Sequence, residues 1–174
     1  GILATMRGLD RHRVMAGGAL GPLATFLYCF GFLAVCRMVR PEHPQLRRAL
    51  FLLFCLGAFY GGAYHSHYPH MAFAVPADAS GGHAASSAYT NVLGALTFAP
   101  WLAASLLFAW AVLRRKTRFR RRMAIFAPFF LSLLNLAVVH LPPPVLIVIA
   151  GGWNSILFTI FFLLCLMENR KTAV

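Results

Sequence analysis

The Lys and Arg residues of this chain are confined to four clusters, separated by long apolar stretches that contain neither residue. The chain has 174 residues, of which 16 are Lys or Arg and only 4 are Asp or Glu. Basic side chains are costly in the hydrocarbon core of a bilayer and accumulate in loops on the cytoplasmic side. The pattern therefore predicts a protein that crosses a membrane several times.

Composition narrows the fold class. Hydrophobic residues make up 60% of the chain and charged residues 11%, which leaves too little polar surface for a soluble domain of this size. Backbone polar groups in lipid must pair within the protein, and the alternating pattern of a membrane barrel is absent. We predict an all-α transmembrane helical bundle that forms one domain over residues 1–174.

Helical spans can be placed by length, because about 20 apolar residues in a helix cross the hydrocarbon core. Five apolar stretches are predicted to be spans, at about 14–36, 49–65, 88–113, 123–141 and 145–167. The second is short unless it continues into Tyr68–Val75. Pro22, Pro100 and Pro128 predict local distortions of the helices that contain them.

The basic clusters also predict the orientation. Arg37–Arg48 and Arg114–Arg122 connect spans one to two and three to four, so both loops are predicted to be cytoplasmic. The connections 66–87 and 141–144 contain no Lys or Arg and are predicted to face outward, which leaves Arg170 at a cytoplasmic C-terminus.

One cluster disagrees with this orientation. Arg7, Arg11 and Arg13 precede the first span on the predicted outer side. A further upstream span, giving six in the whole protein with both termini inside, would remove the conflict. Alternatively, the first span tilts or the rule fails at this position.

The basic run Arg114–Arg122 is interpreted as a membrane feature. Only Phe119 interleaves with its charges, which is too little for a stacking platform, so no nucleic-acid partner is predicted. The expected partners are the lipid bilayer and anionic lipid head groups at this run. The sequence does not indicate an oligomeric state.

Cysteines are not expected to carry chemistry. The four fall within predicted spans and lack CxxC spacing. Membrane-embedded cysteines usually behave as small apolar side chains, so neither a redox nor a metal role is predicted for them.

The histidines are the one group of residues in the sequence that could form a reactive or ligand-binding site. His65, His67, His70 and His83 lie at the end of the second span and in the following loop, and His140 lies at the end of the fourth. The predicted topology places all five at the outer face. Pro69 disfavours helix at Tyr68, so we expect the chain to leave the helix there; in an extended segment His65 and His67 would point the same way.

Three interpretations of these histidines remain open. His65, His67, His70 and His140 could bind Zn or another divalent transition metal, with Asp78 as ligand or base and Tyr64 assisting proton transfer. They could instead form a protonatable or polar ligand site. They could also be interfacial anchors without chemistry, since the spacing is not HExxH.

Polar and small residues inside the spans add a fainter signal. Asn91, Asn135 and Asn154 are expected either to form interhelical hydrogen bonds or to line one pocket that opens outward below the histidines. Glycine and serine pairs four residues apart predict close helix packing. These pairs are Gly17 with Gly21, Gly57 with Gly61, and Gly151 with Ser155.

Several short motifs resemble a known family. They are Met15-Ala-Gly-Gly-Ala-Leu-Gly-Pro-Leu-Ala, Tyr28–Phe32, Gly57-Ala58-Phe59, and Ala63-Tyr64-His65 after Gly61. The chain resembles an uncharacterised family of bacterial multi-pass integral membrane proteins with about six spans. The resemblance implies a helical bundle in the bacterial inner membrane, a further N-terminal span, and a His at the end of the second span, but no activity.

The sequence thus predicts a multi-pass membrane protein with an outward-facing polar site at His65, His67 and His140. The leading hypothesis is binding of a metal or a small polar ligand. A metal-assisted hydrolase is the enzymatic version of this hypothesis. The alternatives are a small-solute or proton transporter and a structural or assembly protein.

Overall fold

The computed structural model describes residues 9–73, 80–138, 140 and 143–172, and over these residues the chain is helical with a single isolated β-bridge. A 3-10 helix, Arg121–Phe126, lies between the third and fourth α-helices. The α-helices are α1 Arg11–Cys36, α2 Pro44–Phe73, α3 Ser80–Leu113, α4 Pro128–Ser132, α5 Asn135–Val138 and α6 Pro143–Thr172.

Among the described residues, four helical segments are long and apolar enough to cross a membrane. They are Arg11–Cys36, Pro44–Phe73, Ala84–Leu113 within α3 and Gly152–Arg170 within α6. Each exceeds or approaches the length that the hydrocarbon core requires. The predicted all-α helical bundle is confirmed, and the chain is a multi-pass membrane protein.

The predicted exit from the helix at Tyr68 is wrong. Helix α2 continues through Pro69 to Phe73, so the second span is longer than 49–65. The Pro69 ring lies against Gly18 of α1, where an added Cβ would be only 2.4 Å from Pro69 Cγ. This tertiary contact outweighs the local preference of the residue before proline for extended backbone.

The segment predicted as a fourth span, 123–141, does not form one continuous helix. It contains residues 123–126 of the 3-10 helix, then α4 and α5. Ala127 adopts φ −59 and ψ 143 immediately before Pro128, the extended conformation that proline imposes on its predecessor. Because Pro128 starts α4, the Phe129 N–H has no partner within its own helix, and it donates to Ser105 Oγ of α3 at 3.0 Å.

Aromatic side chains from four helices form the core. Phe32 of α1 stacks on Phe54 of α2 with ring centroids 4.6 Å apart, and Phe158 of α6 meets Phe32 edge-on at 5.4 Å. Phe108 of α3 contacts Phe161 of α6 at 5.6 Å. These interlocked rings, all fully buried, hold α1, α2, α3 and α6 together by dispersion, which is what drives helix association in lipid.

The two basic loops between spans meet at one end of the bundle. Val39 and Thr117 form an antiparallel bridge, in which Arg40 N–H donates to Lys116 O and Arg118 N–H donates to Met38 O, both at 2.9 Å. Glu168 of α6 pairs with Arg120 and Arg122 at the same end. We call this the basic end and the opposite end, which carries His65, His67 and His70, the histidine end.

Close packing of α1 on α2 defines the histidine end. Besides Gly18 on Pro69, an added Cβ at Gly21 would lie 2.4 Å from His65 Cβ, and one at Gly62 would lie 3.1 Å from the Pro22 Cα. Only glycine permits backbones this close together. Helix α1 therefore fixes the position of the His65 backbone.

Candidate functional site

The histidines of α2 lie on two different faces of that helix. His65 packs against Gly21 of α1, whereas His67 contacts Ser86 and Tyr89 of α3. Residues two apart in a helix point about 200° apart. The continuation of α2 through Pro69 is therefore the reason that His65 and His67 do not share a site.

The face toward α3 carries a polar cluster. His67 Nε2 lies 3.1 Å from Ser86 Oγ, and the His67 ring stacks on the His70 ring with centroids 5.5 Å apart. Nearby, the Tyr64 and Tyr68 hydroxyls share a hydrogen bond of 2.7 Å. The Tyr64 hydroxyl is therefore engaged by Tyr68, while the Tyr64 ring meets the His65 ring edge-on with centroids 6.3 Å apart. These contacts connect α2 to α3 at the histidine end.

The face toward α1 and α6 borders a groove with a volume of about 270 Å³. Small residues on α1 leave the space open. Helix α6 supplies one polar wall, α2 supplies His65, and α3 supplies an indole ring. The lining residues are Gly17, Leu20, Gly21, Ala24, Thr25, Tyr28, Gly61, His65, Trp101, Asn154 and Ser155.

Polar groups from three helices meet in this groove. His65 and Asn154 are both half-buried. Tyr28 Oη donates to Ser155 Oγ at 2.8 Å and joins α1 to α6 across the groove. None of the described lining residues is Lys, Arg, Asp or Glu, so recognition here would depend on neutral hydrogen-bonding groups and on the His65 imidazole.

One indole with an unsatisfied donor lines the groove, and a second lies on α6 next in sequence to a lining residue. Trp101 lines it and is 5% exposed, and Trp153 immediately precedes Asn154. The Nε1 atoms of both are buried and have no hydrogen-bond partner among the described residues. Since an unpaired buried donor is costly, a hydrogen-bond acceptor supplied by a ligand would be favoured near the Trp101 ring.

Gly17 is an open position on the groove wall. An added Cβ at Gly17 would meet no atom within 4 Å, although its neighbours Gly18 and Gly21 are tightly covered by α2. The two glycines of the predicted pair therefore differ: Gly21 takes part in helix packing, whereas Gly17 faces free space. Gly57 and Gly61, by contrast, both pack on α3 at Trp101.

The remaining predicted site residues do not join this groove. Asn91 and Asn135 are exposed, His70 is exposed beside His67, and His140 is exposed in the turn before α6. Of the three asparagines, only Asn154 lines the groove. A polar path lined by all three, which would have supported the transporter alternative, is therefore not formed by these residues. Asp78 lies outside the described residues.

The predicted metal ligands are not brought together as a set. Among the described residues, no three His, Cys, Asp or Glu side chains are placed to hold one metal ion. His67 and His70 are neighbours, but His65 faces α1. The separation follows from the helical course of α2.

Thr25 and Tyr28 of α1 line the groove but were not among the predicted site residues. Gly17, Gly21, Ala24 and Tyr28 are spaced by four, three and four residues, which places them along one helix face. The spacing identifies a face of small residues ending in a tyrosine. It does not show that α6 stays far enough away to leave the face open.

The fold and the groove define a polytopic α-helical membrane protein with a polar groove among its spans. A family of unknown function, DUF6796, matches residues 2–172, and the chain belongs to this family. The predicted resemblance to an uncharacterised family is therefore confirmed. No curated protein and no solved structure matches the chain.

Proposed function

We propose that this protein binds a small polar ligand, or the polar end of an amphipathic ligand, in the groove at His65. The observation that carries the proposal is the meeting of His65, Asn154 and the Tyr28–Ser155 pair around one groove of about 270 Å³. Pockets that bind ligands typically combine apolar walls with a few polar groups that fix orientation. The groove has this composition.

The ligand that suits these groups carries hydrogen-bond acceptors. Asn154 supplies an amide donor, His65 a ring nitrogen, and Trp101 an indole Nε1 that has no partner among the described residues. The absence of charged groups among the described lining residues favours a neutral or weakly charged ligand over a multivalent anion.

We further propose that the chain resides in a bacterial inner membrane with its basic end and C-terminus in the cytoplasm. The joining of both basic loops at one end, through Val39 and Thr117, supports this. Loops rich in Lys and Arg stay on the cytoplasmic side and attract anionic lipid head groups, here along Arg114–Arg122. The groove at His65 would then open toward the outer side.

Access to the groove can be tested with a cysteine at position 65. We expect His65→Cys to react, in intact cells, with a small membrane-impermeant methanethiosulfonate reagent added outside. Adding Gly17→Leu should slow the reaction, because an added Cβ at Gly17 meets no atom within 4 Å and a leucine there would occupy open space on the groove wall. The measurement is the labelling rate, followed by mass spectrometry of the intact chain.

Two controls make this experiment decisive. Ala58→Cys, on the same helix but fully buried in the core, should stay unlabelled. The wild-type chain reports any reaction of the four native cysteines. Labelling of His65→Cys only from the cytoplasmic side, or at a rate that Gly17→Leu does not change, would contradict the outward-opening groove.

The hypothesis of a metal-assisted hydrolase requires a bound metal ion, and it can be tested by measuring the metal content of the protein. Because no three described ligands meet, we expect elemental analysis of detergent-purified protein, washed with a mild chelator, to find well under one transition-metal ion per chain. Near-stoichiometric Zn that disappears in the His65→Ala, His140→Ala double variant would contradict this expectation and restore the enzymatic hypothesis.

A further inference from the structure

A second groove lies between α1 and α6 near the basic end. It has a volume of about 220 Å³ and is mainly apolar. Ala34 and Leu166 on its rim are exposed, whereas Val35 and Phe119 at its base are buried, so it opens sideways on the surface that faces lipid. Its lining residues are Gly31, Ala34, Val35, Met38, Phe119, Phe162, Cys165, Leu166 and Asn169.

Exposed arginines from three chain segments are next in sequence to residues that line the basic end of this groove. Met38, Phe119 and Asn169 line that end, and each is next in sequence to at least one exposed arginine. The Arg118 N–H bond to Met38 O, 2.9 Å, holds two of these segments side by side. The neighbouring arginines are Arg37, Arg118, Arg120 and Arg170.

Within the part of the chain that the structure describes, three of these four arginines have no ion-pair partner. The carboxylate of Glu168 pairs with Arg120 and Arg122. Arg37, Arg118 and Arg170 take part in no ion pair among the described residues. An apolar groove open to lipid and next to uncompensated arginines at the membrane surface complements a molecule with a hydrocarbon chain and an anionic head.

We propose that this groove is a specific site for an anionic phospholipid of the bilayer. One acyl chain lies between α1 and α6 along Ala34 and Leu166, and the phosphate lies among Arg37, Arg118 and Arg170. The inference depends on the chain being in a membrane but not on the groove at His65. It goes beyond general attraction of anionic lipid to Arg114–Arg122, because it requires a particular pair of helices.

The test is native mass spectrometry of the full chain in detergent, with dioleoyl-phosphatidylglycerol or dioleoyl-phosphatidylethanolamine added. We expect one phosphatidylglycerol to be retained in preference to phosphatidylethanolamine. The double variant Arg37→Gln, Arg118→Gln should bind it about thirtyfold more weakly, since each arginine near the head group contributes about fivefold. Ala34→Phe should also weaken binding, by occupying the acyl groove.

Matched controls separate this site from diffuse charge. The double variant Arg47→Gln, Arg48→Gln removes the same charge from the same end, at exposed positions that lie outside Arg114–Arg122 and are not adjacent to the lining, and should keep wild-type binding. Leu33→Phe adds an aromatic ring to an exposed α1 residue outside the groove and should do the same. Equal losses in the two arginine pairs, full binding by Ala34→Phe, or equal binding of both lipids would each overturn the proposal.

Discussion

Replacing Gly21 by Ala is expected to lower the free energy of unfolding by about 1–3 kcal/mol, the usual cost of overpacking. The new Cβ would lie 2.4 Å from His65 Cβ. That atom is bonded directly to the α2 backbone and cannot rotate away, so the two helices must separate. Reversible unfolding in mixed micelles with increasing denaturing detergent measures the change.

Gly17→Ala is the matched control for this prediction. It is the same chemical change one helical turn away, at a position with no atom within 4 Å of the added Cβ. Since Ala is a better helix former than Gly, the variant should be as stable as the wild type or slightly more so. If both substitutions have the same effect, the close approach of α1 and α2 at Gly21 is wrong.

The same contact positions the candidate site. Gly21 holds the His65 backbone against α1, while Gly17 leaves the space in front of the imidazole open. Two glycines four residues apart thus serve different purposes, one in packing and one in access. Stability and labelling experiments on the pair address these purposes separately.

The distribution of charge made much of the architecture predictable. Apolar stretches between basic clusters identified α1, α2, α3 and α6 as membrane helices, because burial of Lys or Arg in hydrocarbon is costly whatever the tertiary structure. The placement of His65, His67 and His70 at the end of α2 opposite the basic loops follows from the same pattern. The apolar length of a helix and the charge at its ends can be read from one segment without knowledge of its neighbours.

Contacts between segments were not predictable in the same way. The preference against helix at the residue before Pro69 is local. It is outweighed by the packing of the Pro69 ring against Gly18, which belongs to another helix. The outcome at Pro69 decides whether His65 and His67 share a site. At Pro128 the local rule prevails, since Ala127 is extended and the segment breaks into short helices.

Charge reversal at Glu168 is expected to have the largest effect on stability. Glu168 is only 3% exposed; Arg122 Nη2 donates to its Oε1, and Arg120 Nε lies 3.6 Å from its Oε2. Glu168→Lys would bury a cation next to two guanidinium groups, and loss of a buried pair costs about 3–5 kcal/mol. Unfolding in mixed micelles should show this loss, and expression in membranes should fall with it.

Two further variants determine whether the loss arises from this contact. Glu168→Gln keeps the shape and should cost less, about 1–2 kcal/mol, because Arg120 and Arg122 are more than half exposed and can return to water. Arg122→Glu combined with Glu168→Lys restores opposite charges and should recover part of the stability. Without such recovery, the cost of Glu168→Lys would come from burying lysine against α6 neighbours such as Cys165, and the 3-10 segment would not depend on Glu168 for its attachment to α6.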